Sequence, residues 1–276
     1  MSIKIVTDSS ANLFELEGVD FASVPLKVMV GDREFTDDAQ VNMEEFYTLL
    51  DRRPEHTGTS CPSVADWLDA FGEARDVICI TLASTMSGSC SSARIAKREY
   101  ESQHHGRHVY LIDSLSIGPE MALLAERARS LVLSGMSAAY IYRALLRYKA
   151  KTHLVFALSD LKNCADNGRV GQTQAKGIGV MGVGVVGHAS DQGSLEIQEK
   201  CRGKKQIGSG ILRQMKQLGY AGGRILIAHS GDESGALELM RRIREVFGAV
   251  DVRIGRSGAL CGFYAEQGSL LVGMEC

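Results

Sequence analysis

Apolar and polar positions along the chain alternate between two periods. Ile3 to Thr7 is a short apolar run closed by Asp8, Ser9 and Ser10, the pattern of a buried strand that delivers polar groups at its C-terminal end. Val24 to Val30 is a second apolar run. Met43 to Leu50 and Val64 to Phe71 have helical spacing, the latter after the start signal Pro62-Ser63. Val77 to Leu82 then reads as strand, Ser89 to Tyr100 as helix, and Val109 to Ile112 as a strand ending in Asp113-Ser114. Helices are expected from Pro119 to Leu133 and from Ala138 to Ala150, with a return to strand from His153 to Leu158. Strands alternating with helices predict an α/β unit with a parallel sheet.

The texture changes after Ser159. A glycine-rich stretch runs from Gly168 to Gly187, followed by a hairpin pattern around Asp191-Gln192-Gly193. A second α/β region reads as helix from Lys205 to Leu218, strand from Arg224 to Ala228, helix from Glu233 to Phe247 and strand from Val250 to Ile254. A boundary near Leu158 divides the chain into two α/β domains, 1–158 and 159–276. No low-complexity linker separates them, so they are expected to pack against each other.

The 276 residues are 45% hydrophobic, 23% charged and 6% aromatic, which excludes disorder and collagen-like repeats. A formal net charge of -2 leaves no basic field to gather nucleic acid or an anionic membrane. No apolar run approaches the roughly 20 residues needed to cross a bilayer, so no stable membrane insertion is expected. The N-terminus reaches Asp8 without a signal-peptide stretch, and a cytoplasmic location is expected. Seven scattered cysteines without a CxxC pair read as reduced thiols.

Three hydroxyl-rich turns are the main candidates for chemistry: Thr7-Asp8-Ser9-Ser10, Thr57 to Ser63, and Ser84-Thr85-Met86-Ser87-Gly88-Ser89. Ligands of open α/β sheets sit outside the carboxyl ends of strands, and helix N-termini offer free N–H groups to an anion. Together these turns suit a carboxylate or phosphate. Taken singly, each reads more readily as helix caps and Asx turns, except the Ser87-Gly88-Ser89 turn, where glycine lets the backbone approach a ligand closely.

Other motifs carry less. Gly177-Ile178-Gly179-Val180-Met181-Gly182 matches GxGxxG but lacks the preceding strand and following helix of a dinucleotide site. His104, His105 and His108 suit a solvated loop better than a metal site. His229-Ser230-Gly231-Asp232 ends a strand and reads as a cap for the next helix, with a catalytic histidine as the alternative. Trp67 shares helical spacing with Leu68 and Phe71 and belongs to the core.

In order along the chain, "IVTDSSANL", "TSCPS", "STMSGSCSSA", "LIDS", "DLKNCADNGRVG" and "KCRGKKQ" resemble the DegV family of bacterial fatty-acid-binding proteins. The resemblance implies two packed α/β domains, the first Rossmann-like, with a long-chain fatty acid held between or beneath them. It implies a lipid-binding protein rather than an enzyme, no cofactor, and a separate fatty-acid kinase subunit as partner. Carried over by position, the carboxylate contacts fall on the Thr59-Ser60 pair and on Ser87 with Gly88, with either hydroxyl of the pair open. Arg169 takes the family's "GR" position. The family's closing His-x-Gly-Pro-Gly segment matches Tyr264-Ala265-Glu266-Gln267-Gly268, with tyrosine for histidine and no proline, and a Lys-Pro pair expected near Gly184-Val185 is missing.

Affinity for such a ligand comes from the tail. At about 0.8 kcal/mol per buried CH₂, some fourteen methylenes offer on the order of 11 kcal/mol before ordering costs, so a closed apolar tunnel is required. Candidate lining is the apolar set from Ile178 to Val186 with Met29, Met121 and Leu161, each equally readable as core. The alternative function is an enzyme acting on a small phosphorylated or carboxylated substrate at the same hydroxyl turns.

Overall fold

The computed structural model describes residues 3–179 and 182–276. Strands β1 (Ile3–Asp8), β2 (Asp20–Val24), β3 (Lys27–Val30) and β4 (Arg33–Thr36) come first, followed by helix α1 (Met43–Leu50) and strand β5 (Thr57–Ser60). Next are α2 (Val64–Phe71), β6 (Asp76–Thr81), α3 (Ser89–Gln103), β7 (His108–Asp113), α4 (Pro119–Leu133) and α5 (Ala138–Lys149). The remainder runs β8 (Thr152–Leu158), α6 (Lys162–Asp166), α7 (Gln172–Ala175), β9 (Val183–Ala189), β10 (Leu195–Arg202) and α8 (Gly203–Gln217). It closes with β11 (Ile225–His229), α9 (Glu233–Phe247), β12 (Val252–Arg256), α10 (Ala259–Ala265) and β13 (Leu270–Glu275).

A four-stranded sheet in the order β2-β1-β6-β7 is parallel throughout. Its strand order reverses at β1, so the crevice between the carboxyl ends of β1 and β6 is the place where such a sheet receives ligands. A mixed six-stranded sheet in the order β10-β9-β8-β13-β11-β12 forms the second layer system, and β4-β3-β5 is a small antiparallel sheet. The α/β expectation thus holds.

Two readings need correction, and several short elements were not foreseen. Val24 to Val30 is not one strand: Pro25, with no N–H and a fixed φ, separates β2 in the parallel sheet from β3 in the small one. β8, placed in the first half by a boundary at Leu158, pairs with β9 and β13, so this strand belongs to the second sheet. The short elements β4, β5, α6, α7 and α10 carry too few residues to show a period.

β8 is buried on both faces. Val155 and Ala157 join one hydrophobic cluster with α8 and α9, whereas Leu154, Phe156 and Leu158 join another that faces α10. Trp67 is fully buried beside Phe71, as its spacing requires. No helix among the described residues is long and apolar enough to cross a membrane.

Candidate functional site

Asp8 organises the crevice from below. It ends β1 fully buried, accepts the Leu82 N–H at 2.9 Å from the end of β6, and accepts the Ser89 hydroxyl at 2.6 Å from the start of α3. Ser10 donates to its other oxygen. Burial raises the Asp8 pKa against these three hydrogen bonds and a fourth from the Ser10 N–H, so the carboxyl acts as an internal tie between turns. Ser9 is spent the same way, its hydroxyl accepting the Leu26 N–H at 3.0 Å. The first hydroxyl turn therefore builds the floor and offers little to a ligand.

Above this floor lies a cavity whose space, open mouth and solvent included, amounts to about 610 Å³. Thirteen of its seventeen lining residues are apolar or cysteine. Leu26, Leu82 and Ile117 come from the carboxyl ends of the parallel strands, while Leu154, Phe156 and Leu158 form a stripe along β8. Leu271 sits opposite Phe156 on β13, and Leu195 opens β10. Leu260, Cys261, Tyr264 and Ala265 make α10 a wall.

The four polar lining residues are Thr59, Ser87, Arg169 and Tyr264. Thr59 Oγ1 and the Tyr264 hydroxyl are 2.7 Å apart. The Arg169 guanidinium carbon lies 5.3 Å from the centre of the Tyr264 ring, and its Nε donates to Met86 O at 3.1 Å. Gly168, at φ +75°, turns the chain so that Arg169 reaches across to the loop before α3. Ser87 precedes that helix, and its hydroxyl accepts the Ser89 N–H at 3.2 Å. Burial raises the Tyr264 pKa despite the Thr59 hydrogen bond and the Arg169 charge, so its hydroxyl stays a neutral donor.

Of the residues singled out from sequence, these four share the cavity, while Ser60 and Gly88 are exposed and lie off its wall. Between the two hydroxyls left open, Thr59 is the one that faces inward. A Cβ on Gly88 would come within 3.0 Å of Cys61 Sγ, so this glycine serves loop packing.

The tail-lining expectation needs correction. Met29 is exposed, Met121 is buried where its sulfur accepts from Ser10 at 3.2 Å, and Leu161 and Ile178 stand behind the wall in the cluster that includes Leu158. None of these, nor the described part of 178–186, lines the cavity. Val180 and Met181 of the GxGxxG match lie outside the described residues. The lining missed from sequence is the β8 stripe and α10.

Other candidates resolve locally. Asp232 caps α9 by accepting the Gly235 N–H at 3.1 Å, and His104 closes α3 against Tyr100 O. Among the described residues no group of three or more His, Cys, Asp or Glu is placed to hold a metal ion. All seven cysteines are unpaired and five are buried; burial pushes the Cys164 thiol up to about 12, far from a reactive thiolate.

Comparison with known proteins places these features in context. The profile of the DegV family, described as uncharacterised proteins, matches residues 2–275. The DegV domain-containing protein spr0652 of Streptococcus pneumoniae is 36% identical over 279 residues, spanning 100% of this chain and 99% of that one. Among solved structures, the Streptococcus pneumoniae Fatty Acid Kinase (Fak) B3 protein loaded with linoleic acid superposes with a TM-score of 0.96 at 36% identity, over 100% of this chain and 99% of its own. A DegV family protein from Eubacterium eligens loaded with heptadecanoic acid gives 0.96 at 34% identity over 99% of each chain.

Proposed function

The chain belongs to the DegV family, and from that footing we propose that it binds one long-chain fatty acid, tail in the cavity and carboxylate at Thr59, Ser87, Arg169 and Tyr264. The observation that carries this reading is the polarity of the cavity itself. Thirteen apolar or thiol-bearing residues enclose the space, and the four polar ones include three hydroxyls and a single guanidinium. Charge-assisted bonds from neutral donors and one cation suit one carboxylate, whereas the apolar stripe of Leu154, Phe156 and Leu158 suits an acyl chain.

The two parts of the chain would share this work, the segments before β8 supplying the hydroxyl turns and β8 with the segments after it most of the tail wall. The chain acts as a carrier, and the phosphorylation of its cargo belongs to a separate fatty-acid kinase subunit. The linoleic acid of the Fak B3 protein and the heptadecanoic acid of the Eubacterium eligens protein support the ligand class. A small charged substrate is disfavoured, since among the described residues lining the cavity Arg169 alone is charged.

The test is native mass spectrometry and lipid extraction on the protein purified from a bacterial host. One fatty acid per chain is expected. A protein that stays empty when offered long-chain fatty acids refutes the reading.

A further inference from the structure

Helix α10 holds the Tyr264 hydroxyl at the cavity, and its two ends are held by different parts of the chain. At its C-terminal end the Asn163 side chain donates to Phe263 O at 3.0 Å and the Cys164 thiol to Tyr264 O at 3.2 Å. At its N-terminal end the Ala259 N–H donates to Asp37 Oδ1 at 2.6 Å, and the Gly258 N–H donates to Asn12 Oδ1 at 2.9 Å. Asp37 follows β4, far from α10 in sequence, and is fully buried. Its own N–H donates to the carbonyl of Leu26, a cavity residue, at 2.9 Å.

Asp37 is more than an ordinary cap in one respect. Its second oxygen, Oδ2, is buried with no donor at ordinary hydrogen-bond distance among the described residues, the Ser9 hydroxyl stabilising the carboxylate only from nearby. Such a group is costly to keep, and a neutral asparagine would supply the same acceptor to Ala259. The approach is also protected. A Cβ on Gly258 would fall 2.6 Å from Asp37 Oδ1, so the glycine leaves room for the carboxylate to reach the first turn. Tyr264 lies five residues beyond Ala259, about 7.5 Å along a rigid helix, so a shift at the anchored end is carried to the hydroxyl.

We propose that Asp37 is a positioning residue of the carboxylate site, acting through α10 to hold the Tyr264 hydroxyl against Thr59. This rests on the fatty-acid reading above. Loss of the Asp37 contact frees the N-terminal end of α10 and moves the Tyr264 hydroxyl from Thr59; of the apolar wall only Leu260 and Cys261 shift with it, while the β8 stripe, Leu195 and Leu271 stay in place.

The experiment compares binding of a long-chain fatty acid and of its methyl ester, which shares the tail and lacks the charge. Asp37→Ala is expected to weaken acid binding by about tenfold and ester binding by much less, about twofold. Asp37→Asn keeps an acceptor for Ala259 and restores acid binding. Gly258→Ala attacks the same contact from the other side and serves if Asp37→Ala does not fold. In a Tyr264→Phe background, the effect of either variant should vanish, as it must if both act through that hydroxyl. Equal losses for acid and ester, no loss for either, or full effects retained in the Tyr264→Phe background overturn the proposal. Wild-type protein that binds neither ligand refutes the fatty-acid reading instead, and undiminished acid binding by Tyr264→Phe alone refutes the placement of the carboxylate.

Discussion

The hydroxyls of Thr59 and Tyr264 meet at 2.7 Å although 205 positions separate them in the chain. Thr59 rides on β5, paired opposite Val28, and Tyr264 on α10, so the contact ties the small antiparallel sheet to the cavity wall. Either hydroxyl can donate within the pair, which leaves one O–H free for a carboxylate oxygen. Tyr264→Phe should leave folding intact and weaken fatty-acid binding modestly. Tyr264 cannot become a cation near neutral pH, so wild-type affinity should change little between about pH 6 and 8, whereas Tyr264→His should bring in a pH dependence. Titrations of the three proteins at both pH values check this; three superimposable profiles would remove Tyr264 from the carboxylate.

Ser87 and Ser9 give opposite expectations. Ser87 lines the cavity and Ser9 accepts the buried Leu26 N–H. Ser87→Ala should cost roughly 1.5 to 3 kcal/mol of carboxylate binding with little change in melting temperature. Ser9→Ala strands a buried N–H and should lower stability by about 1 to 3 kcal/mol instead. Fluorescent fatty-acid displacement, read beside thermal unfolding, separates the two. Equal retention by both variants would strip Ser87 of its anchoring role.

Arg169 bridges from the Gly168 turn to Met86 O and covers the Tyr264 ring. Removing it loses two hydrogen bonds, to Met86 O and Asn167 O, and one cation–π contact, so Arg169→Ala should speed fatty-acid dissociation by about threefold to thirtyfold. Arg169→Lys keeps the charge without the planar fork and should fall between. Stopped-flow release measures all three rates. Identical release from wild type and Arg169→Ala would make the residue a bystander.

Elements with a full period were legible before folding: α1, α2, α4 and α9 run between the residues their spacing gives. The polar end of the cavity was partly legible because hydroxyl turns at the carboxyl ends of strands can face a ligand, yet Asp8, Ser9, Ser10 and Ser89 proved to tie turns to one another. The apolar wall of the cavity was not legible. A strand buried on both faces shows no alternation, so nothing in Thr152–Leu158 tells which of its two apolar rows meets a ligand and which meets α8. The glycine-rich stretch misled because Gly184 and Gly187 serve close strand packing, where a Cβ would strike Leu158 O at 2.7 Å or Glu196 O at 2.1 Å.

A last prediction concerns Glu120, buried at the start of α4, where Ser116 donates to one oxygen at 2.5 Å and Thr152 to the other at 2.8 Å. Burial outweighs these bonds and lifts its pKa from 4.5 to about 7. The folded chain therefore holds a proton that the unfolded chain has released between about pH 4.5 and 7, and stability contributed by Glu120 falls as pH rises through that window. The shift corresponds to on the order of 3 kcal/mol across the full range. His153 and His229, whose pKa values burial lowers, act in the opposite sense below about pH 6.5, so wild-type stability alone does not isolate the effect. Glu120→Gln does, because both histidines are common to the two proteins and the amide can still bond both hydroxyls. Denaturant unfolding at about pH 5 and pH 8 should show the glutamine variant gaining on wild type by on the order of 2 kcal/mol at the higher pH. A gap that stays constant between the two pH values would mean that Glu120 titrates alike in the folded and unfolded chains.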